Sequence, residues 1–308
     1  GRRAVEGGTA MQIGDWKATA ELGEVYRKAR ELGLETNLAE LEAFGFTIVE
    51  PEKAAPPGFA DRMLEAVLAL EAREAPETVD MMNRPQSERP VYGRSLFRLP
   101  AKDPVFAEAI VSPVALTLAK YLTGASNQIY NSAALLKRGK AGVTRMHCDS
   151  VGFPPPLPPY GATCNASWIL TDYTRETGTF FLVPGSHRYC RQPGPMDLPK
   201  IMGGPNDDEI GIPLVARPGS LFVFSGNLWH GTYPKEDEAL RVHCAIMYAR
   251  NYVFPGESFA DIPDAWVDQY GPEFARLVGR HAWQGYGDEG PNVTNLAKVQ
   301  RAQATPSA

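Results

Sequence analysis

After Gly124 the chain changes texture, and that change limits its fold more than any other feature. Short apolar runs alternate with turn residues: Ile129 to Leu136, Ala166 to Leu170, Thr179 to Val183, Leu214 to Ala216, Leu221 to Phe224 and Val242 to Tyr248. Runs of this length, bounded by glycine and proline, read as strands. Pro184-Gly185 and Pro218-Gly219 supply turns between them. The 27 prolines and 29 glycines favour a turn-rich β architecture over a helical bundle. The fold class expected is mainly β with flanking helices around a double-stranded β-helix, a jelly-roll or cupin-like core.

The spacing predicts helices around that core. Leu22, Val25, Tyr26, Ala29 and Leu32 recur at helical intervals. Asn37 is placed to cap a second short helix with Leu38, Leu41 and Phe44 on one side, and Gly45 ends it before a strand from Phe46 to Val49. Pro56-Pro57 opens a helix that runs to about Arg73, and residues 76–93 read as a polar loop. Residues 104–122 are helical with a break at Pro113. Trp266, Tyr270, Phe274, Leu277 and Val278 carry a helical pattern within residues 255–285. The expected organisation is a flexible N-terminal arm over 1–16, one jelly-roll domain over 17–286, and a polar C-terminal tail over 287–308.

Composition narrows the function. Net charge is −5 with no dense basic run, which excludes the electrostatic footprint of a nucleic-acid binder. No apolar stretch approaches the ~20 residues that span a bilayer, and residues 1–10 carry no secretory apolar segment. Cys148, Cys164, Cys190 and Cys244 have neither a C-x-x-C pair nor zinc spacing and read as reduced thiols. The expectation is a cytoplasmic protein that acts on a small-molecule substrate, with no nucleic-acid or membrane partner; a homodimer is left open.

Chemistry concentrates in His147, Asp149 and His230. A strand puts residues i and i+2 on one face, so His147 and Asp149 can hold one metal while Cys148 points away. Two imidazoles and one carboxylate form the set that leaves one face of an iron(II) ion open. A single histidine, or His-x-Asp alone, is a weak signal; the joint placement with Arg241 is stronger. Arg241 opens the strand after the third ligand, and arginine holds carboxylates by two parallel hydrogen bonds. The competing reading of Arg241 is a surface ion pair with Asp237 or Glu238. Two rival classes are a jelly-roll binding module without catalysis and a zinc-dependent hydrolase, since zinc accepts the same donors.

Five motifs in order then make the pattern specific: Arg145-Met146-His147-Cys148-Asp149, Glu176 to His187, Arg217 to Phe224, Trp229-His230-Gly231-Thr232, and Leu240-Arg241. Over roughly residues 37–255 the chain resembles the phytanoyl-CoA dioxygenase family of iron(II)- and 2-oxoglutarate-dependent oxygenases. The resemblance implies Fe(II), 2-oxoglutarate and O2 as cofactor and co-substrates. It implies His147, Asp149 and His230 as iron ligands. It gives Arg241 the 5-carboxylate of 2-oxoglutarate, with Thr232 either helping to hold the same end or stabilising a turn. Trp168 lies on a strand expected to line the pocket, with core packing as the alternative. Pro184-Gly185-Ser186-His187 is a structural turn, so His187 is not expected to be a ligand.

The sequence also departs from that pattern. Many relatives place a threonine near the co-substrate where this chain reads Thr179-Phe180-Phe181. Phe180 has no hydroxyl, and Thr179 points to the opposite face of a regular strand. Asn127, Gln128, Lys137 and Thr144 are the remaining polar candidates for the 1-carboxylate. The carboxylate at Asp149 argues against halogenation, which needs a small residue there. The expected activity is hydroxylation, desaturation or rearrangement of a small, mainly apolar metabolite, with release of succinate and CO2. Phe153, Tyr160 and Trp229 are expected around an apolar cavity, and Pro154 to Pro159 as either a lid wall or an exposed connector. Lys137, Arg138, Lys140 and Arg145 would have to serve the phosphates of an acyl-CoA, or else form a solvated turn.

Overall fold

The structure is a computed structural model that describes residues 20–74, 94–150, 152–280, 286–287 and 290–291. The expected arm over 1–16 and loop over 76–93 lie outside the described residues. So does the tail, apart from a two-residue pairing of Tyr286–Gly287 with Gly290–Pro291.

The chain opens with α1 (Ala20–Glu31) and α2 (Glu35–Phe44), then β1 (Phe46–Val49), α3 (Pro51–Ala54) and α4 (Phe59–Glu74). Next come β2 (Arg94–Phe97), α5 (Pro104–Ile110), α6 (Pro113–Thr123), β3 (Gln128–Lys137) and β4 (Thr163–Ile169). Strands β5 (Phe180–Leu182), β6 (Ile212–Pro213), β7 (Leu221–Ser225), β8 (His230–Thr232) and β9 (Arg241–Ala249) follow, and α7 (Asp264–Leu277) packs behind them. A six-stranded sheet runs β1-β7-β4-β9-β3-β2 and a three-stranded sheet runs β6-β5-β8. All their pairings are antiparallel.

The large sheet is covered on both faces, so β4 and β9 are buried at every position. Burial therefore does not show which face does what; side-chain alternation does. Along β9, Val242, Cys244, Ile246 and Tyr248 pack outward into the main core with Met63, Phe106 and Leu118 of the helices. Arg241, His243, Ala245 and Met247 take the opposite, inner face. Along β4, Cys164, Ala166 and Trp168 face the helices, and Asn165, Ser167 and Ile169 face inward. At one end of the space between the sheets, Ile169, Phe222 and Phe224 meet Phe180, Leu182 and Leu214 in a second apolar cluster. The polar side chains described below border this cluster, with the Phe224 ring 4.8 Å from His230 and the Phe180 ring 5.2 Å from His243.

Several local expectations needed revision. Asn37 does not cap α2. It lies inside the helix, and its amide donates to the Thr47 hydroxyl (2.8 Å) and the Ile48 carbonyl (3.3 Å), tying α2 to β1. Gly45 does end α2, with φ +86°. Residues 214–216 are not a strand; Ala216 makes only an isolated bridge to Tyr173. The sequence reading had no counterpart of β2, which pairs with β3. Helix α7 is broken at Gly271 (φ +78°) before Pro272. Helices α5 and α6 meet at 51° across the break at Pro113, and no single helix among the described residues is long and apolar enough to cross a membrane.

Candidate active site

His147 and His230 are joined through their backbones. Each donates its N–H to the other's carbonyl at 2.8 Å, an antiparallel bridge that extends the small sheet. The bridge brings together residues far apart in sequence and sets their rings 4.4 Å apart. Each ring is then fixed by its own backbone. His147 Nδ1–H donates to the Arg145 carbonyl (2.8 Å) and His230 Nδ1–H to the Leu228 carbonyl (3.0 Å). Both Nε2 lone pairs are thus left unprotonated, and both lie 3.6 Å from Asp149 Oδ1. The three donor atoms lie within 4.8 Å of one another.

The electrostatics suit a cation. Burial would raise the Asp149 carboxyl, but His230, His147 and the Asn165 amide outweigh it and hold it below the ordinary carboxylate value. Burial lowers His230, which favours its neutral form. At His147 burial is outweighed by Asp149, and the imidazole stays above its ordinary value.

Neighbours that the sequence reading missed hold this geometry. Ser167 Oγ donates to Asn165 Oδ1 (2.9 Å), which turns the amide N–H toward Asp149. Gln192 accepts from the Cys148 N–H and donates to the Cys148 carbonyl, both at 3.1 Å, and so clamps the residue between two donors. Ser186 Oγ accepts from the Trp229 N–H (2.9 Å) and donates to the Val183 carbonyl (2.6 Å), tying the signature turn to the residue before His230. The polar pair Asn165 and Ser167, two apart in an apolar strand, was the one available signal for the first of these.

Arg241 is 2% exposed, and its Nε and Nη1 meet no hydrogen-bond acceptor. It is not the surface ion pair considered from sequence; Asp237 pairs with Lys235 instead. The Arg241 guanidinium sits over the Tyr173 ring at 5.2 Å, and the Tyr173 hydroxyl contacts His243 Nδ1 at 2.5 Å. Thr232 Oγ1 accepts from the Thr144 N–H at 2.8 Å. Thr179 points away as expected and donates to the Leu214 carbonyl (2.6 Å).

Other candidates lie elsewhere. Trp168 is on the helix side of β4, fully buried, with its ring edge-on to Phe59 at 5.1 Å. The expectation that it lines the pocket is corrected: Asn165 and Ser167 occupy the inward positions on either side of it in the alternation. Trp229 points away from His230 into a cluster with Cys148, Leu157 and Phe181, and Phe153 packs against that cluster. Tyr160 is exposed, bonded to the Tyr252 hydroxyl at 3.0 Å. His187 is not part of the metal-ligand cluster. Asn127 and Gln128 are engaged at the far end of β3, with Thr123 and Val253. The proline run is exposed at Pro154 to Pro156 but anchored by Leu157, whose N–H donates to the Cys190 carbonyl at 2.8 Å.

The donor set and a buried guanidinium whose Nε and Nη1 lack acceptors fit a divalent metal with an anionic co-substrate beside it. A jelly roll carrying such a site on its inner face defines a class, the metal-dependent oxygenases. The comparisons name the family within it. The model of the phytanoyl-CoA dioxygenase (PhyH) family matches residues 41–242, and the chain belongs to that family. It is an oxidoreductase of the dioxygenase type. Dioxygenase af480 of Aspergillus fumigatus is 30% identical over 254 residues, covering 80% of this chain and 77% of the relative. Among solved structures, HygX from Streptomyces hygroscopicus, with nickel and 2-oxoglutarate bound, aligns with TM-score 0.55 and 19% identity over 74% of this chain and 93% of its own. AviO1 from Streptomyces viridochromogenes aligns with TM-score 0.53 and 23% identity over 72% and 97%. The epimerase SnoN from nogalamycin biosynthesis, in complex with Fe3+, alpha-ketoglutarate and nogalamycin RO, aligns with TM-score 0.53 and 18% identity over 71% and 84%. These structural likenesses establish the double-stranded β-helix fold.

Proposed function

We propose that the chain is an iron(II)- and 2-oxoglutarate-dependent dioxygenase that hydroxylates, desaturates or rearranges a small, mainly apolar metabolite. In the hydroxylation case the substrate C–H, dioxygen and 2-oxoglutarate give the alcohol, succinate and carbon dioxide. His147, Asp149 and His230 would hold iron(II), which would supply the activation of dioxygen alongside the co-substrate. Arg241 binds the distal carboxylate of 2-oxoglutarate, and the Thr232 hydroxyl donates to the same group.

One observation carries this reading: a buried arginine with unpartnered Nε and Nη1 on the same inner face as the triad. An uncompensated buried guanidinium is costly, and a carboxylate removes that cost. The apolar substrate is supported by Ala133, Ala245 and Met247 on the inner face. An acyl-CoA is disfavoured, because Arg138 is occupied by Glu71 and Lys137 is buried, leaving only Lys140 and Arg145 exposed for its phosphates.

The test is equilibrium binding of 2-oxoglutarate to the ferrous protein without oxygen, read by charge-transfer absorption, followed by succinate release with oxygen admitted. Arg241→Ala is expected to weaken co-substrate binding by about a hundredfold or more, in keeping with ~2–5 kcal/mol for truncating one side of a buried charge pair. Iron affinity should stay near the wild-type value. An unchanged co-substrate dependence in Arg241→Ala removes Arg241 from the site.

A further inference from the structure

Positive charge is concentrated at the Arg241 end of the space between the sheets. Arg241 begins β9, Lys137 ends β3, and the two are direct antiparallel partners. Partners of this kind share one face, with Cβ atoms ~5 Å apart. Both are buried, Arg241 at 2% and Lys137 at 5% exposure. Buried cations normally have an acid beside them, because desolvating an unpaired charge is costly. Their neighbours follow that rule. Lys235 pairs with Asp237, and Arg138 holds Glu71 through two hydrogen bonds, one of 2.6 Å. Among the described residues no such salt bridge forms at Lys137 or Arg241. Lys137 Nζ reaches only the Thr144 hydroxyl, at 3.5 Å.

Thr144 connects this pair to the remaining donor. Its N–H donates to Thr232 Oγ1, which leaves the Thr232 hydroxyl proton free to donate elsewhere. An ammonium, a guanidinium and a hydroxyl proton therefore gather in one region without a matching acceptor. A carboxylate offers about four lone-pair sites: two for Arg241 and one each for Lys137 and Thr232.

We propose that Lys137 is a second cationic anchor, beside Arg241, for the distal carboxylate of the 2-oxo dicarboxylic co-substrate. The assignment rests on the reading of the site given above.

The surroundings of Lys137 give it a distinctive signature. Burial, with Arg241 and Lys235, pushes its ammonium down to about 7. Two other titratable groups packed there are shifted away from neutrality. His243 is held neutral by burial, then by Arg241 and Lys137, and burial pushes Tyr173 up to about 12. At about pH 8 the free site thus holds Lys137 mostly neutral, and an arriving carboxylate restores the charge, taking up about one proton.

The experiment is calorimetric titration of 2-oxoglutarate into nickel(II)-loaded protein at about pH 8, in buffers of different ionisation heat. Wild type is expected to take up about one proton. Lys137→Met is expected to take up none and to bind about 10- to 100-fold more weakly, ~1.4–2.7 kcal/mol. Lys137→Arg, always charged, is expected to keep affinity without uptake. A lysine that only supported the fold would leave the proton count unaltered. Wild-type affinity in Lys137→Met, or no uptake by wild type, overturns the proposal. If Lys137→Met does not fold, wild type against Lys137→Arg decides through the proton count alone. Weakening by Arg241→Ala without weakening by Lys137→Met removes Lys137 only; failure of wild type to bind 2-oxoglutarate removes the larger reading as well.

Discussion

The two faces of β4 and β9 are made from the same stretches of backbone and do opposite work. The helix side carries Cys164, Ala166, Trp168, Val242, Cys244, Ile246 and Tyr248, all at or below 1% exposure. The inner side carries Asn165, Ser167, Arg241 and His243, side chains that cost free energy to bury unless something satisfies them. Stability is gathered on one side and chemistry on the other, one residue apart. A single-residue register slip would exchange them, so the long β3–β9 and β4–β9 pairings fix the site as well as the fold.

Asp149→Ala should break the inner side most severely. It removes the only anionic donor of the triad and leaves two imidazoles, of which burial keeps His230 from charging easily. Iron affinity, measured by equilibrium dialysis, should fall by more than the roughly 10- to 100-fold expected for an outer-layer partner, and succinate release should be lost. The fold should survive, since the inward cluster of Phe180, Phe222 and Phe224 is untouched. Metal binding at the wild-type level would separate Asp149 from the metal.

Trp168→Ala tests the other side. Truncating a fully buried tryptophan costs ~3–5 kcal/mol, through lost contact with Phe59 and its neighbours. Denaturant unfolding should show that loss, while 2-oxoglutarate affinity of the folded fraction stays within about twofold of wild type. A large affinity change without a stability change would restore Trp168 to the pocket.

What was legible in the sequence follows the same division. The convergence of His147, Asp149 and His230 was legible because their residue types and the i, i+2 spacing are chemically unusual; that Arg241 is buried needed the fold, because an arginine opening a strand near Asp237 and Glu238 suits a surface ion pair equally well. Trp168 was placed by its strand, whose two faces the sequence alone does not tell apart, and the fold shows the core alternative; Trp229 was placed by its position beside His230. Neighbours on a strand point to opposite sides, so being one residue from His230 put Trp229 in the wrong layer. Gln192 was invisible because it reaches Cys148 across 44 residues through a loop with no periodicity. Asn37 resembled a cap because its residue type suits one; its partner turned out to be the next strand rather than its own helix. The turn Pro184-Gly185 was legible as a turn, but its task of fixing the Trp229 backbone through Ser186 required the tertiary structure.

The smallest expected effect sharpens the comparison most finely. Asn165 lies between Cys164 and Ala166, both in the outer core, so Asn165→Ala changes the inner face alone. Its carbonyl oxygen is held by the Ser167 hydroxyl at 2.9 Å, which commits the amide N–H to Asp149. Removing that donor takes away one of the influences that keep the Asp149 carboxyl acidic, so protons compete with the metal up to a higher pH than in wild type. Metal affinity near neutral pH should fall by about 10- to 100-fold, the usual cost of losing an outer-layer partner. Global stability should change by only about 1 kcal/mol. Ser167→Ala should move metal affinity in the same direction by less, because the amide remains and only its orientation is freed. If both variants bind metal as wild type does, the inward polar residues of β4 do not orient the carboxylate, and the division of labour between the two faces would then rest on β9 alone.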